Sequence, residues 1–326
     1  MPTIKDVAER AGVSVATVSR IMNNRGPIGE KTRKKVHKAM KELNYQPNEM
    51  ARALQKSKSH ILGLIVPSIS YAFFSKLADA IEEACHEQGY KLMLCKSGNE
   101  HERELEMVSL LYANKVDGIL ICSRVGDASI YTNYNLPIVS IDRDIDLLPS
   151  VTSDNYNGGV LAAQALLRAG CKTPLIFGGA VPEYMAMDLR YKGFREECFK
   201  RGVVFEEHFV GESDLRHERL QEEFISFVTK RPQIDGVFIT GDMIAAKLLC
   251  SERITSLLNS IPMIGYDGLE ISNLLGITTV EQPISEMGEY AVNLLIRKVE
   301  AKAVPERSIL PVRLIERKST LRFMQE

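Results

Sequence analysis

The sequence predicts an all-α helix-turn-helix headpiece followed by a larger α/β core of two Rossmann-like lobes. Three observations carry this. A short helix, a glycine turn, a serine cap and a second short helix are written into Asp6–Arg20. Charge is divided unevenly: residues 1–60 hold 13 Lys and Arg against 5 Asp and Glu, a balance of +8, so residues 61–326 carry −9 in a chain whose total is −1. From Ile61 onward, apolar strand-like runs alternate with amphipathic helical stretches.

In the headpiece, Thr3 caps the first helix, with Asp6 three residues on as an acidic variant of a capping box. Val7, Ala8 and Ala11 share one helical face, and the two alanines let a second helix approach closely. Gly12 supplies the turn, where positive φ is cheap. Ser14 caps the second helix. There Val18 and Ile21 point inward, while Val15, Ala16, Thr17 and Arg20 face solvent near the helix start, as a groove-reading surface requires. A plain helical hairpin packed on a core is the competing reading. A third helix, about Glu30 to Leu43, has an apolar stripe of Val36, Ala39, Met40 and Leu43 and is crowded with Lys31, Arg33, Lys34, Lys35, Lys38 and Lys41. A basic head on an acidic body suits phosphate neutralisation. Pro47 ends that helix, and Asn48 caps a segment through Leu54 that is too short to be a stable helix alone.

Residues 61–326 are long enough for two small domains with cores of their own. Strands are expected at 61–67, 91–95, 117–122, 137–142, 174–179, 235–240 and 262–267, with helices between them at about 74–88, 102–115 and 158–169. Strands apolar on both faces and alternating with helices make parallel sheets covered on both sides. Two such lobes bind a small ligand in a cleft at the C-terminal ends of their strands. Asp-Gly opens a strand twice, at Asp117-Gly118 and Asp235-Gly236, a weak sign of one theme used in both lobes.

The remaining chemistry is mostly exclusion. No apolar run reaches membrane-spanning length and no secretory signal opens the chain, so a cytoplasmic, soluble protein is expected. Six scattered cysteines without a CxxC pair read as reduced thiols. There is no phosphate loop, no GxGxxG after a strand, no GxSxG elbow and no HExxH or triad spacing, so no catalytic residue, cofactor or metal is expected. Gly170-Cys171-Lys172-Thr173 imitates part of a phosphate loop but follows a helix and reads as a turn.

With these residues in view, the whole chain resembles the lac repressor family of bacterial transcriptional regulators. The resemblance is carried by Thr3-Ile4-Lys5-Asp6-Val7-Ala8, Gly12-Val13-Ser14, Thr17-Val18-Ser19-Arg20, Leu43-Asn44-Tyr45-Gln46-Pro47-Asn48 and Ala51-Arg52-Ala53-Leu54. It implies a headpiece at 1–46, a hinge helix and linker at 47–60, and a periplasmic-binding-protein-like core at 61–326. The core's N-lobe would take about 61–155 plus 285–311, and its C-lobe about 156–284 plus 312–326. The resemblance implies DNA contacts from Thr3, Ser14, Val15, Ala16, Thr17, Ser19, Arg20, Asn23, Asn48, Ala51, Arg52 and Leu54. Arg20 suits a bidentate pair with guanine, Val15 and Ala16 offer apolar contact only, and Leu54 matches a minor-groove wedge.

For the cleft, the resemblance implies Ser70, Phe73, Phe74, Asp142, Arg143, Arg190, Asp242, Asp267 and Gln282. Carboxylates accept sugar hydroxyls, guanidinium groups donate to them, and an aromatic face packs on a sugar ring. Phe73 and Phe74 are adjacent, so one is expected in the cleft and the other in the core. Asp142 and Asp267 end strands, where Asp also caps the next helix or turn, and Asp242 can cap the helix that follows it. Gly241 departs from a family pattern in which some members carry a polar side chain there.

The function implied is a repressor of a sugar-utilisation operon, a homodimer on a near-palindromic DNA operator, controlled by a sugar or sugar phosphate between the lobes. Phe73-Phe74-Ser75, Ile141-Asp142-Arg143, Ser153-Asp154-Asn155 and Ile264-Gly265-Tyr266-Asp267-Gly268 resemble sucrose-utilisation repressors, pointing to sucrose, fructose or a phosphorylated form. The alternatives are a catabolite-control regulator answering to a partner protein, an enzyme on the same scaffold, and a secreted binding protein. The basic headpiece argues against the last.

Overall fold

The computed structural model describes residues 2–22, 26–45, 58–123, 131, 134–182, 185–211 and 219–324. They fall into two compact units, Met1–His60 and Ile61–Glu326.

The first unit contains α1 (Ile4–Ala11), α2 (Val15–Met22) and α3 (Glu30–Glu42). Asp6 reaches back over the start of α1, accepting from Thr3 N at 2.6 Å and from the Thr3 hydroxyl at 2.9 Å. Those bonds favour its ionised form and lower its pKa. Gly12 ends α1 in the left-handed region at φ 64°. The Ser14 hydroxyl oxygen then accepts from Thr17 N at 3.1 Å, capping α2. Val7, Ala8, Ala11, Val18, Ile21, Val36 and Ala39 close a small core between the three helices. The predicted apolar faces are the buried ones.

The second unit opens with β1 (Ile61–Val66), α4 (Ala72–Glu87), β2 (Lys91–Lys96), α5 (His101–Ala113), β3 (Gly118–Ile121), β4 (Ile138–Ile141) and β5 (Ser150–Ser153). It continues with α6 (Asn155–Arg168), β6 (Pro174–Gly179), α7 (Asp188–Lys200), β7 (Glu206–Val210), α8 (Arg219–Thr229), β8 (Gly236–Ile239), α9 (Asp242–Leu249) and α10 (Glu252–Leu258). Then come β9 (Met263–Asp267), α11 (Glu270–Leu275), β10 (Thr278–Glu281), α12 (Ile284–Val299), β11 (Arg307–Leu310), β12 (Arg313–Ile315) and α13 (Lys318–Leu321).

Two six-stranded sheets result, in the orders β11-β5-β4-β3-β1-β2 and β12-β10-β9-β8-β6-β7. β12 runs antiparallel to β10, and the other pairings are parallel. The orders match strand for strand, with β1 answering to β6, β3 to β8 and β4 to β9. The chain passes between the sheets three times: from β5 into α6, from β10 into α12, and from β11 to β12. α12 returns to the first lobe, where Met287, Ala291, Val292 and Leu295 pack with Phe73, Leu77 and Ile81 of α4.

Five strands, β5, β7, β10, β11 and β12, fall where sequence patterning predicts none. β5 reads Ser-Val-Thr-Ser yet is buried throughout. Its serine hydroxyls are satisfied sideways, Ser150 on Asp144 Oδ1 at 3.2 Å and Ser153 on Gln282 Oε1 at 2.5 Å. A polar strand that finds such partners can be central without being apolar.

α6 and α7 meet backbone to backbone through two glycines. A Cβ on Gly159 would stand 1.9 Å from the Arg190 carbonyl oxygen, and one on Gly193 would stand 2.0 Å from the Tyr156 carbonyl oxygen. Either Gly159→Ala or Gly193→Ala is therefore expected to destabilise the core by about 1–3 kcal/mol in urea unfolding. An unchanged midpoint would contradict this contact.

Candidate functional site

On the headpiece, Val15, Ala16 and Arg20 are exposed along α2, Thr17 and Ser19 are half-buried, and Thr3 and Ser14 are exposed at the caps. The Ser14 and Thr17 hydroxyls are paired at 2.9 Å, which fixes the start of the helix. Lys31, Lys34, Lys35, Lys38 and Lys41 are exposed on α3. Weak surface pairs hold Lys34 to Glu30 at 3.7 Å and Lys38 to Glu42 at 3.8 Å. Asn23, Asn48, Ala51, Arg52 and Leu54 lie outside the described residues.

In the core, the two matching strands β4 and β9 both deliver an aspartate at their C-terminal ends. Asp142 follows β4 at φ 61° and Asp267 ends β9 at φ 105°. A non-glycine residue at positive φ is strained, and such residues cluster at ligand sites.

Asp267 is the centre of a buried polar hub. Its Oδ1 accepts from Gln282 Nε2 at 2.8 Å and lies 3.9 Å from Arg190 Nη1. Its Oδ2 accepts from the Tyr71 hydroxyl of the opposite lobe at 3.2 Å. Arg190, 2% exposed, donates to Asn155 Oδ1 through Nε at 3.0 Å and Nη2 at 2.7 Å, and to the Thr240 carbonyl at 3.1 Å. Its guanidinium lies 3.6 Å from the centre of the Tyr266 ring. Burial works against the Arg190 charge, but Tyr266 and Asp267 outweigh it and raise the pKa. Gln282 and Asn155 stand on the second and first crossings, so the hub ties both lobes and both crossings. Asp142 is close enough for its charge to act on Asp267 and Arg190.

The other cleft candidates are placed differently. Asp242 is fully buried, and both its oxygens serve protein donors: Leu269 N at 2.8 Å and the Thr279 hydroxyl at 2.7 Å. It braces the β9 turn from below. Phe73 and Phe74 are both buried in the first lobe's core, edge to face with centroids 5.2 Å apart, whereas the sequence predicts one of them in the cleft. Leu269 of the opposite lobe belongs to the same cluster. Arg143 is buried and donates to the Ser123 hydroxyl at 3.2 Å, within a network that includes Tyr131 and Glu104. Ser70 is exposed, its N bonded to Ser68 Oγ at 3.2 Å. The hub thus brings together Asp142, Arg190, Asp267 and Gln282. Tyr71, Asn155, Tyr266 and Thr240 complete it without having been singled out as cleft residues in the sequence. Asn155 and Tyr266 sit inside the quoted motifs; nothing local to the sequence marks Tyr71 or Thr240.

Among the described residues, no cluster of His, Cys, Asp and Glu is placed to hold a metal, and no helix is long and apolar enough to cross a membrane.

A three-helix reading unit and a two-lobed core with a polar hub between the lobes define a ligand-responsive DNA-binding regulator. The chain matches "Bacterial regulatory proteins, lacI family" over residues 3–48 and "Periplasmic binding proteins and sugar binding domain of LacI family" over residues 59–318, and it belongs to that family. It is 36% identical to the sucrose operon repressor of Streptococcus mutans over 97% of this chain and 98% of that one. It is 37% identical to the ribose operon repressor of Bacillus subtilis over 98% of this chain and 99% of that one. A solved periplasmic binding protein/LacI transcriptional regulator from Alkaliphilus metalliredigens, complexed with D-xylulofuranose, superposes with a TM-score of 0.70 at 31% identity, covering 80% of this chain and 99% of that one. The chain is a DNA-binding transcriptional regulator whose core is suited to effector control.

Two buried carboxyls, Asp242 and Asp267, give this site a pH signature. Burial, with Asp267 adding repulsion, raises the Asp242 pKa to about 7. Burial, opposed by Arg190, raises that of Asp267 to about 6. The folded chain therefore keeps protons that the unfolded chain has already released. The stability from these sites is full below about pH 4 and falls as pH rises through about 6 and 7. Asp242→Asn keeps both hydrogen bonds if Thr279 turns to accept. It should shrink the wild-type loss of unfolding free energy between about pH 5 and 8 by on the order of 1–3 kcal/mol. Superimposable pH profiles would contradict the assignment.

Proposed function

We propose that this protein is a homodimeric repressor of a sugar-utilisation operon whose operator affinity is set by a sugar bound between the core lobes. The observation that carries the reading is the buried Arg190–Asp267–Gln282–Asn155 hub, reaching both lobes, with strained Asp142 beside it. Carboxylates and an amide at fixed positions match an array of sugar hydroxyls. The relatives are named for sucrose and ribose operons, and the solved neighbour holds a xylulofuranose. A sugar with a furanose ring, such as the fructose half of sucrose, or its phosphate, is the favoured ligand. Ligand contacts fall to Ser70, Asp142, Arg143, Arg190, Asp267 and Gln282, with Phe73 and Phe74 backing the cleft and Asp242 holding its floor.

The division proposed is a headpiece at 1–46, a hinge at 47–60 and a core at 61–326, with the lobes exchanging chain at the three crossings. Arg20 reads a guanine edge, Val15 and Ala16 touch thymine methyls, and Thr3, Ser14, Thr17, Ser19 and Asn23 bond the backbone. Asn48, Ala51, Arg52 and Leu54 act in the minor groove, Leu54 as a wedge. Two copies read a near-palindromic site. The protein works in the cytoplasm, and the cleft binds without catalysis.

Arg20→Ala is expected to weaken operator binding roughly 10- to 100-fold in a gel-shift titration, and to leave sugar affinity unchanged by calorimetry. Loss of sugar binding in the same variant would contradict the division of labour. A thermal-shift screen of sugars and sugar phosphates tests the ligand class, since a tight binder raises the midpoint. No shift with any furanose sugar or its phosphate would overturn it.

A further inference from the structure

The solvent-facing side of α6 and α7 carries an open groove of about 700 Å³. Val160 and Gln164 of α6, Glu196 and Phe199 of α7, and Phe205 beyond them line it. Phe199 stands at its wall 85% exposed, the most exposed aromatic side chain among the described residues, and Val204 is 72% exposed. An apolar ring held in water beside an apolar groove is the mark of an interaction surface.

The charges on this face point to what covers it. Glu196 and Lys200 are one turn apart on α7, in the order that suits an ion pair along a helix. They do not pair. The Glu196 carboxylate accepts from the Tyr156 hydroxyl at 2.6 Å instead. Among the described residues Lys200 forms no ion pair, its charge acting on Glu197 at longer range. Phe199 lies between the two in sequence. In a two-fold contact the same patch serves both partners, so it must complement itself. Two α7 helices laid antiparallel, with the symmetry axis beside Phe199, set Glu196 of each copy against Lys200 of the other. The same seating sets each Phe199 over the other copy's groove. The face thus carries both halves of its own complement, a ring beside a place for a ring and an acid beside a base.

We propose that the α6–α7 face seats the same face of a second copy and joins two operator-reading dimers into a tetramer. This rests on the homodimer proposed above. A covered aromatic side chain buries about 150–250 Å², so two Phe199 rings and two Val204 side chains make a contact at the small end of specific interfaces. It forms at micromolar chain concentration, or between dimers that one DNA molecule holds near each other.

Sedimentation velocity on the full chain, from about 1 to 200 μM, reads the assembly. The wild type is expected to pass from dimer to tetramer as concentration rises, and Phe199→Asp to stay dimeric throughout. Phe199→Asp alters an exposed side chain, and unchanged operator binding by the dilute dimer reports that it folds. Glu196→Lys or Lys200→Glu alone sets like charges together twice and is expected to weaken the tetramer about tenfold or more. The two reversals in one chain restore the opposition and are expected to recover most of that loss. A wild type that stays dimeric at every concentration would overturn the proposal and leave the homodimer standing. A tetramer that Phe199→Asp leaves intact would overturn it too, as would a double reversal no better than either single one. A wild type that stays monomeric would take down the homodimer and this proposal together.

Discussion

The polar contacts between the core lobes are organised around one buried pair, Arg190 with Asp267, whose donors and acceptors must be satisfied out of water. Taking two such charges into a protein interior costs several kcal/mol per ion, and their mutual attraction offsets it only when the remaining donors and acceptors are satisfied. Here Asn155, Thr240, Gln282 and Tyr71 do that. Those partners come from both lobes and from two of the three places where the chain changes lobe. Asn155 and Gln282 stand at those two places, so the pair is satisfied in part by side chains of the crossings themselves. Asp267 is also at positive φ, a conformation that costs of order 1–3 kcal/mol unless the surroundings hold it.

A hub of this kind is well placed to report on a ligand. Its groups come from both lobes, so a molecule that bonds to Asp267 or Asp142 changes the balance of contacts between the lobes. Such a ligand acts on DNA binding only through its different affinity for the states the lobes can adopt. The reading helix needs no change of its own. Its cap, turn and core are complete within the first unit, from Asp6 on Thr3 to Val36 and Ala39 beneath α2. On the proposed reading, base choice belongs to the first unit and response to ligand to the second.

The headpiece was legible because each of its decisions is local. Thr3, Gly12 and Ser14 each act within four residues, and the apolar faces follow the helical period. The central strands were equally plain, since continuous apolar runs such as Ile61–Val66 have few other uses. What escaped was decided at a distance. β5 is polar and central because Ser153 meets Gln282, 129 residues away in sequence. Tyr71 meets Asp267 from 196 residues away, and no window of sequence contains both. Asp142, Arg190, Asp267 and Gln282 were reached through family resemblance, and the structure gathers them. Composition alone would have placed Arg190 on the surface, where an unpaired arginine normally belongs.

The central claim is that a cleft ligand and the operator bind one protein with linked free energies. The most direct measurement is the full linkage square. The operator Kd is measured without sugar and at saturating sugar, and the sugar Kd without operator and at saturating operator. The account predicts that both change by the same factor, within the roughly 5- to 150-fold range usual for such coupling. A sugar Kd that operator DNA does not move, alongside tight binding of each alone, would contradict it.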